Sequence, residues 1–286
     1  MRRYVIDGPR WQEVLETVAR QWPAEQWDDL LPAVRDRIDG PVFGPPWDRW
    51  ATHDPAVPLA APWQRPPNPL AGVPDESLLD VLRDPDRSAE HRAVLREFGR
   101  RPPVPELLDV VEGLEAGHLQ HALAPLGAGV LPAARRWARA GGRWCWDGFL
   151  LVAKHGDESD VPLLLDGIAW LGSRAGDRCG YDRLVAGLAR IGGPGTAGVP
   201  KLVRRLWLTP HSYERASYLR AHLALDREGA EYGLREGLWD CEEDVRLLAA
   251  RHVSLSPRVR ERLTYLRDDP IETPEVRGAA AARLEG

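Results

Sequence analysis

Apolar positions in the first forty residues fall into three groups. Tyr4, Val5 and Ile6 form a short β-branched and aromatic run that predicts a strand. Residues 11–22 then carry apolar side chains at helical spacing. A second helix is expected over residues 25–38, where Leu30, Leu31, Val34 and Ile38 make one apolar stripe and Pro23 suits the first turn. Residues 41–75 lose this periodicity. Their prolines, from Pro41 to Pro74, each lack a backbone donor and restrict the residue before them, which predicts an irregular or extended connection. Trp47, Trp50 and Trp63 within it predict that it is pinned to a surface.

From Asp75 onward the pattern becomes short helices broken by Gly, Pro and Asp, and it repeats. Val104-Pro105, Leu131-Pro132, Val161-Pro162 and Val199-Pro200 each pair an aliphatic residue with a proline, which the first turn of a helix accepts at no cost in hydrogen bonds. Gly156 and Gly192 end the helices that precede the last two of these pairs. Later helices are expected to end near Asp226, Ser254 and Gly286. The unit is about thirty to thirty-eight residues long and holds two antiparallel helices. Its apolar face is too large to bury within itself, so neighbouring units must cover it.

Glu243-Asp244-Val245-Arg246-Leu247-Leu248-Ala249-Ala250 resembles the first helix of a HEAT repeat, as does Pro274-Glu275-Val276-Arg277-Gly278-Ala279-Ala280-Ala281. The stretch from Gly156 to Leu165 resembles the turn and second helix of such a repeat. The resemblance covers roughly residues 75–286 and is clearest after 145; the units over 98–140 depart from it, with short helices and no acid–Val–Arg start. It implies an all-α fold, a right-handed α-α superhelix (HEAT-like solenoid) with a short irregular N-terminal extension. The domain reading is an extension over 1–40, a Pro/Trp-rich connection over 41–75 and HEAT-like helical repeats over 76–286. In such solenoids the second helices line the concave side.

Trp137, Trp170, Trp207 and Trp239 recur at spacings of 33, 37 and 32, each near the end of an expected second helix. Two readings follow: large side chains filling the seams between units, or an aromatic stripe on a concave binding face. Arg135, Arg136, Lys201, Arg204 and Arg205 lie on the same helices, off the apolar stripe. Arg beside Trp is a recurrent composition of binding hot spots. Between Ala116 and Trp146 there is no acid, while Arg135, Arg136, Arg139 and Arg143 are present, which suits an acidic partner or a solvated helix face. The expected partner-binding residues are therefore Arg135, Arg136, Arg139, Trp170, Lys201, Arg204, Arg205, Trp207 and Trp239.

Composition narrows the classes that remain. The 286 residues are 43% hydrophobic and 28% charged, an ordinary globular balance. All but Lys154 and Lys201 of the 38 basic residues are arginine, a bias that fits a high-GC bacterial genome. The net charge is -5, and no third of the chain is basic, which argues against general nucleic-acid binding. No apolar run approaches the ~20 residues of a membrane span, and no apolar segment follows Arg2 and Arg3 as a secretion signal requires. Cys145, Cys179 and Cys241 make neither a disulfide framework nor a metal pair, so a cytoplasmic location is expected.

Motifs for chemistry are sparse. Gly193-Pro194-Gly195-Thr196-Ala197-Gly198 has the G-x-G-x-x-G form of a dinucleotide loop, but the preceding segment has helical period and no acid follows at the needed spacing. His118 and His121 stand three apart, with Glu115 nearby, and no third convincing metal ligand is placed. Trp144, Trp146 and Asp147 are residue types used by alkylpurine DNA glycosylases of HEAT-like fold, without a recognisable motif. The expectation is a cytoplasmic, non-enzymatic HEAT-repeat scaffold that binds a protein or peptide, acidic ones included, through its concave face, with no catalytic residue, cofactor or metal. The alternatives are an immunity-type inhibitor of a co-encoded toxin and a HEAT-like alkylpurine DNA glycosylase.

Overall fold

The computed structural model describes residues 2–60, 68–114, 119–174 and 179–286. Among these the chain is helical throughout, and its one β feature is an isolated bridge between Val42 and Leu59. It divides into two units, residues 1–66 with 249–286, and residues 67–248.

The first unit opens with α1 (Arg2–Asp7) and α2 (Trp11–Gln21). The expected strand at Tyr4-Val5-Ile6 is thus a helix. A strand needs a neighbour to pair with, and none is present among the described residues. A helical turn instead buries Val5 and leaves Tyr4 and Ile6 exposed. The carbonyls at the end of α1 are taken by Arg37, which donates to Val5 O at 3.0 Å, to Gly8 O at 2.8 Å and to Ile6 O. The helix expected over 25–38 is broken into 3-10 turns at Ala24–Gln26 and Asp28–Leu30, α3 (Leu31–Val34) and a further turn at Arg35–Arg37. Pro32 is the cause: it is accepted only in a first turn, so the helix must restart at Leu31. Leu30, Leu31 and Val34 are buried as the stripe predicts, and Ile38 packs at their edge.

Trp47 and Trp50, on α4 (Trp47–Ala51), are fully buried in the core formed by Trp11, Leu15, Trp27, Leu30 and Val34. Each indole finds an acceptor: Trp47 Nε1 donates to Glu16 Oε1 at 2.9 Å, and Trp50 Nε1 to the backbone and carboxylate oxygens of Asp28, both at 3.0 Å. Val42 closes the segment by exchanging backbone bonds with Pro58 and Ala60 at 2.9 and 2.7 Å. Trp63 lies outside the described residues.

The second unit carries α5 (Asp75–Arg83), α6 (Ser88–Phe98), α7 (Leu107–Val111), α8 (Leu119–Leu123), α9 (Leu131–Ala140) and α10 (Cys145–His155). They are followed by α11 (Val161–Ser173), α12 (Tyr181–Ile191), α13 (Val199–Leu206), α14 (Arg215–Leu225) and α15 (Glu231–Gly237), while α16 (Glu243–His252) has residues 243–248 in this unit and 249–252 in the first. Alternate helices touch in sequence order: α6 packs on α8, α8 on α10, α10 on α12, and α12 on α14, while α9, α11 and α13 each lean on that row. One apolar core runs continuously from Leu78 to Ala221. Contact is closest between α10 and α12, where a Cβ added to Gly187 would lie 2.6 Å from Ala153 Cβ and 2.7 Å from its backbone oxygen.

Pro132, Pro162 and Pro200 occupy the first turns of α9, α11 and α13, as expected. Pro105 instead lies in the turn ahead of α7, which begins two residues later. Gly193 to Gly198 is the turn between α12 and α13, so a helix stands where a dinucleotide loop needs a strand. The three HEAT-like segments fall on α16, on the turn into α11, and on α18 (Pro274–Glu285). In the first unit α18 packs against α17 (Pro257–Asp268), and their first turns are capped by Thr273 and Ser256. The three cysteines are unpaired by disulfides. Among the described residues no helix is long and apolar enough to cross a membrane.

Candidate functional site

The basic residues on α9 are largely committed within the chain. Arg135 grips the buried Asp160 with two bonds, Nε to Oδ1 at 2.7 Å and Nη2 to Oδ2 at 2.8 Å, and reaches Asp157 at 3.4 Å. Burial raises the Asp160 carboxyl, but the guanidinium and the Asp157 amide together outweigh burial and hold it below the usual range. Arg136 pairs with Glu112, whose Oε1 also accepts the Trp137 indole N–H at 2.9 Å. Arg143 donates to Leu114 O at 2.9 Å and sits 5.7 Å from the Trp144 ring. Arg139 is exposed, with no ion-pair partner among the described residues.

The tryptophan series divides. Trp137 is buried. Trp170 is half-buried and stacks on Trp146, centroids 6.1 Å apart and planes 15° apart, with the Arg174 guanidinium 4.6 Å from its ring. These two rings fill seams. Trp239 is 49% exposed. Trp207, just past α13, lines a cavity.

That cavity, about 90 Å³, lies among α13, α14 and α15. Val203, Trp207 and Leu219 form its apolar wall, with Tyr232, His222 and Arg204 around it. His222 is buried, and among the described residues its Nε2 has no hydrogen-bond partner; Asp226 Oδ2 is 3.9 Å away. Burial pushes this imidazole below the ordinary histidine value, against the pull of Asp226 and with the help of Arg204. It therefore stands neutral at pH 7, an uncommitted polar group in an apolar wall. Lys201, Arg204 and Arg205 are exposed on α13 and have no carboxylate partner among the described residues.

His222 and Tyr232 carried no signal in the sequence, since each is one polar residue in a helical stripe. The same holds for Asp182, half-buried on α12, and for the buried Glu214 in the turn before α14. Glu214 accepts from Gly180 N and from Tyr218 Oη. Burial raises both carboxyls above their ordinary range, and the charge of Asp182 adds to the rise at Glu214.

Asp147, buried in the first turn of α10, accepts the Gln120 amide at 3.0 Å. His118 and Glu115 lie outside the described residues, and among those described no group of three or more His, Cys, Asp or Glu could hold a metal ion. Comparison with family models, curated proteins and solved structures finds no match.

Proposed function

We propose that the protein is a cytoplasmic, non-enzymatic binding scaffold, its second unit a HEAT-like right-handed superhelix. On this reading its concave face seats an acidic protein or peptide. The ordered contacts between alternate helices support the superhelix. The observation that carries the binding reading is the α13–α15 cavity: an apolar wall with Trp207, the buried His222 Nε2 without a hydrogen bond, and Lys201, Arg204 and Arg205 without acid partners among the described residues. The occupant is an apolar side chain flanked by Asp or Glu. The apolar group fills the cavity while the flanking carboxylates meet the α13 cations, a combination typical of interface anchors. Arg135 and Arg136, tied to Asp160 and Glu112, support the framework rather than the contact.

Selection of displayed random peptides on the full chain tests this. Enriched sequences should place Asp or Glu beside an apolar residue, and Arg204→Glu with Arg205→Glu, or Trp207→Ala, should weaken them about tenfold or more. Enriched peptides that bind these variants as well as the wild type, or no enrichment, would overturn it.

A further inference from the structure

A larger cavity, about 440 Å³, opens elsewhere in the second unit where α6, α8 and α10 end. Arg96 and Arg100 reach it from the end of α6, His121 from α8 and Lys154 from α10, and no Asp or Glu among the described residues lines it. All four side chains belong to exposed residues. Arg96 donates its Nε to Arg92 O at 3.3 Å, leaving both terminal nitrogens uncommitted among the described residues. Arg100 has one acid within reach, Glu97 at 3.9 Å. Glu97 is itself buried and held by Arg101 at 2.9 Å and by Asn68. Lys154 and His121 have no ion-pair partner among the described residues.

Three of these residues stand in the last turns of their helices, where a basic side chain complements the negative helix end. That accounts for part of the charge. A helix end carries about half a unit of negative charge, so three ends offset about one and a half of the three full charges on Arg96, Arg100 and Lys154. A positive excess is left before any proton on His121 is counted. The helices are held together at this point: a Cβ on Gly99 would lie 2.8 Å from His121 O, so α8 approaches the end of α6 as closely as glycine allows.

We propose that this groove is an anion site that takes the phosphate group of a small phosphorylated molecule. Two guanidinium forks and an ammonium supply more donors than one carboxylate can accept, whereas a phosphate monoester brings about two negative charges and three oxygens. The cavity volume falls in the range of small-molecule sites. The cations converge on one spot instead of tracking a line of phosphates, which favours a small ligand over a nucleic acid.

Titration calorimetry of the full chain with inorganic pyrophosphate, and separately with free phosphoserine, at constant ionic strength tests the assignment. Saturable one-site binding is expected, weakened about tenfold or more by Arg100→Gln with Lys154→Gln and unchanged by Arg251→Gln with Arg260→Gln, two exposed arginines outside both proposed sites. If the first pair disturbs folding by circular dichroism, Arg96→Gln serves in its place, with the same expected loss. Absence of saturable binding, or equal loss in the Arg251/Arg260 control, overturns the site. A phosphoserine peptide or an oligonucleotide that binds more than tenfold tighter than phosphoserine overturns the small-ligand assignment in favour of a macromolecule.

Discussion

Removing either half of the Arg135–Asp160 pair should destabilise the protein through a defined mechanism. Asp160 is 1% exposed, while the Arg135 side chain is 28% exposed. In Arg135→Met the arginine stem is retained and the carboxylate stays buried with the Asp157 amide as its remaining donor, at 3.0 Å. Breaking a buried pair costs about 3–5 kcal/mol and an exposed pair about 0–1 kcal/mol. The surviving amide bond and the partial exposure of Arg135 place this variant near 3 kcal/mol. Asp160→Ala frees Arg135 to reach solvent and should cost about 2 kcal/mol. Because each substitution removes the same interaction, the double variant should lose less than the sum, with a coupling of about 1–2 kcal/mol.

The pair also sets a pH dependence. The folded Asp160 carboxyl lies below its unfolded value near 4, so its contribution is complete above about pH 4 and is lost as pH falls through the lower folded value. Arg135→Met raises the folded value, and the stability curves of wild type and variant should converge in acid. Urea unfolding followed by circular dichroism, for the four proteins of the cycle at pH 7 and pH 3, gives every quantity needed. Additivity within about 0.5 kcal/mol at pH 7 would refute the reasoning.

Gly187→Val should destabilise by about 1–3 kcal/mol, read from the urea midpoint, because the new side chain must push α12 away from the Ala153 backbone. Tyr218→Phe should cost about 1–2 kcal/mol by removing one of the donors to buried Glu214. The raised Asp182 and Glu214 carboxyls contribute stability that is complete below the ordinary carboxylate values near 4 and falls as pH rises through the raised ones, so Glu214→Gln should flatten that decline in a melting-temperature profile. His222 and His155 are both pushed below the ordinary histidine value, first by burial; their contribution is complete above about pH 6.5 and lost as pH falls below it. His222→Gln should reduce the loss of stability between pH 6.5 and 5 in the same assay.

The helical class was legible because period and punctuation agree over long stretches. Pro132, Pro162 and Pro200 mark helix starts, and Gly156 and Gly192 follow helix ends, through backbone constraints that act locally. The strand expected at Tyr4-Val5-Ile6 failed because three residues are too few for a period, and a distant arginine, Arg37, decides the matter by capping the end of α1. The helix over 25–38 failed because a correct apolar stripe concealed the break that Pro32 imposes. For the candidate site, Trp207 and Arg204 could be read from spacing. The roles of Arg135 and Arg136 could not, since their acids lie twenty-four or twenty-five residues away in sequence. His222 and the four basic residues of the α6–α8–α10 groove converge only through tertiary packing, and no local pattern encodes that.

The tryptophans of the first unit also make it a natural optical probe. Trp11 meets Trp47 edge-on at 6.0 Å, Trp47 meets Trp50 at 5.4 Å, and Trp50 meets Trp27 at 5.9 Å. Chromophores this close exchange excitation and couple their transition dipoles, so the chain of four rings gives a collective dichroic band that vanishes once their mutual geometry is lost. The parallel Trp146–Trp170 pair couples with a different orientation. Each unit thus carries a spectral fingerprint of its own, and the melting of one can be followed beside the other without attaching a dye.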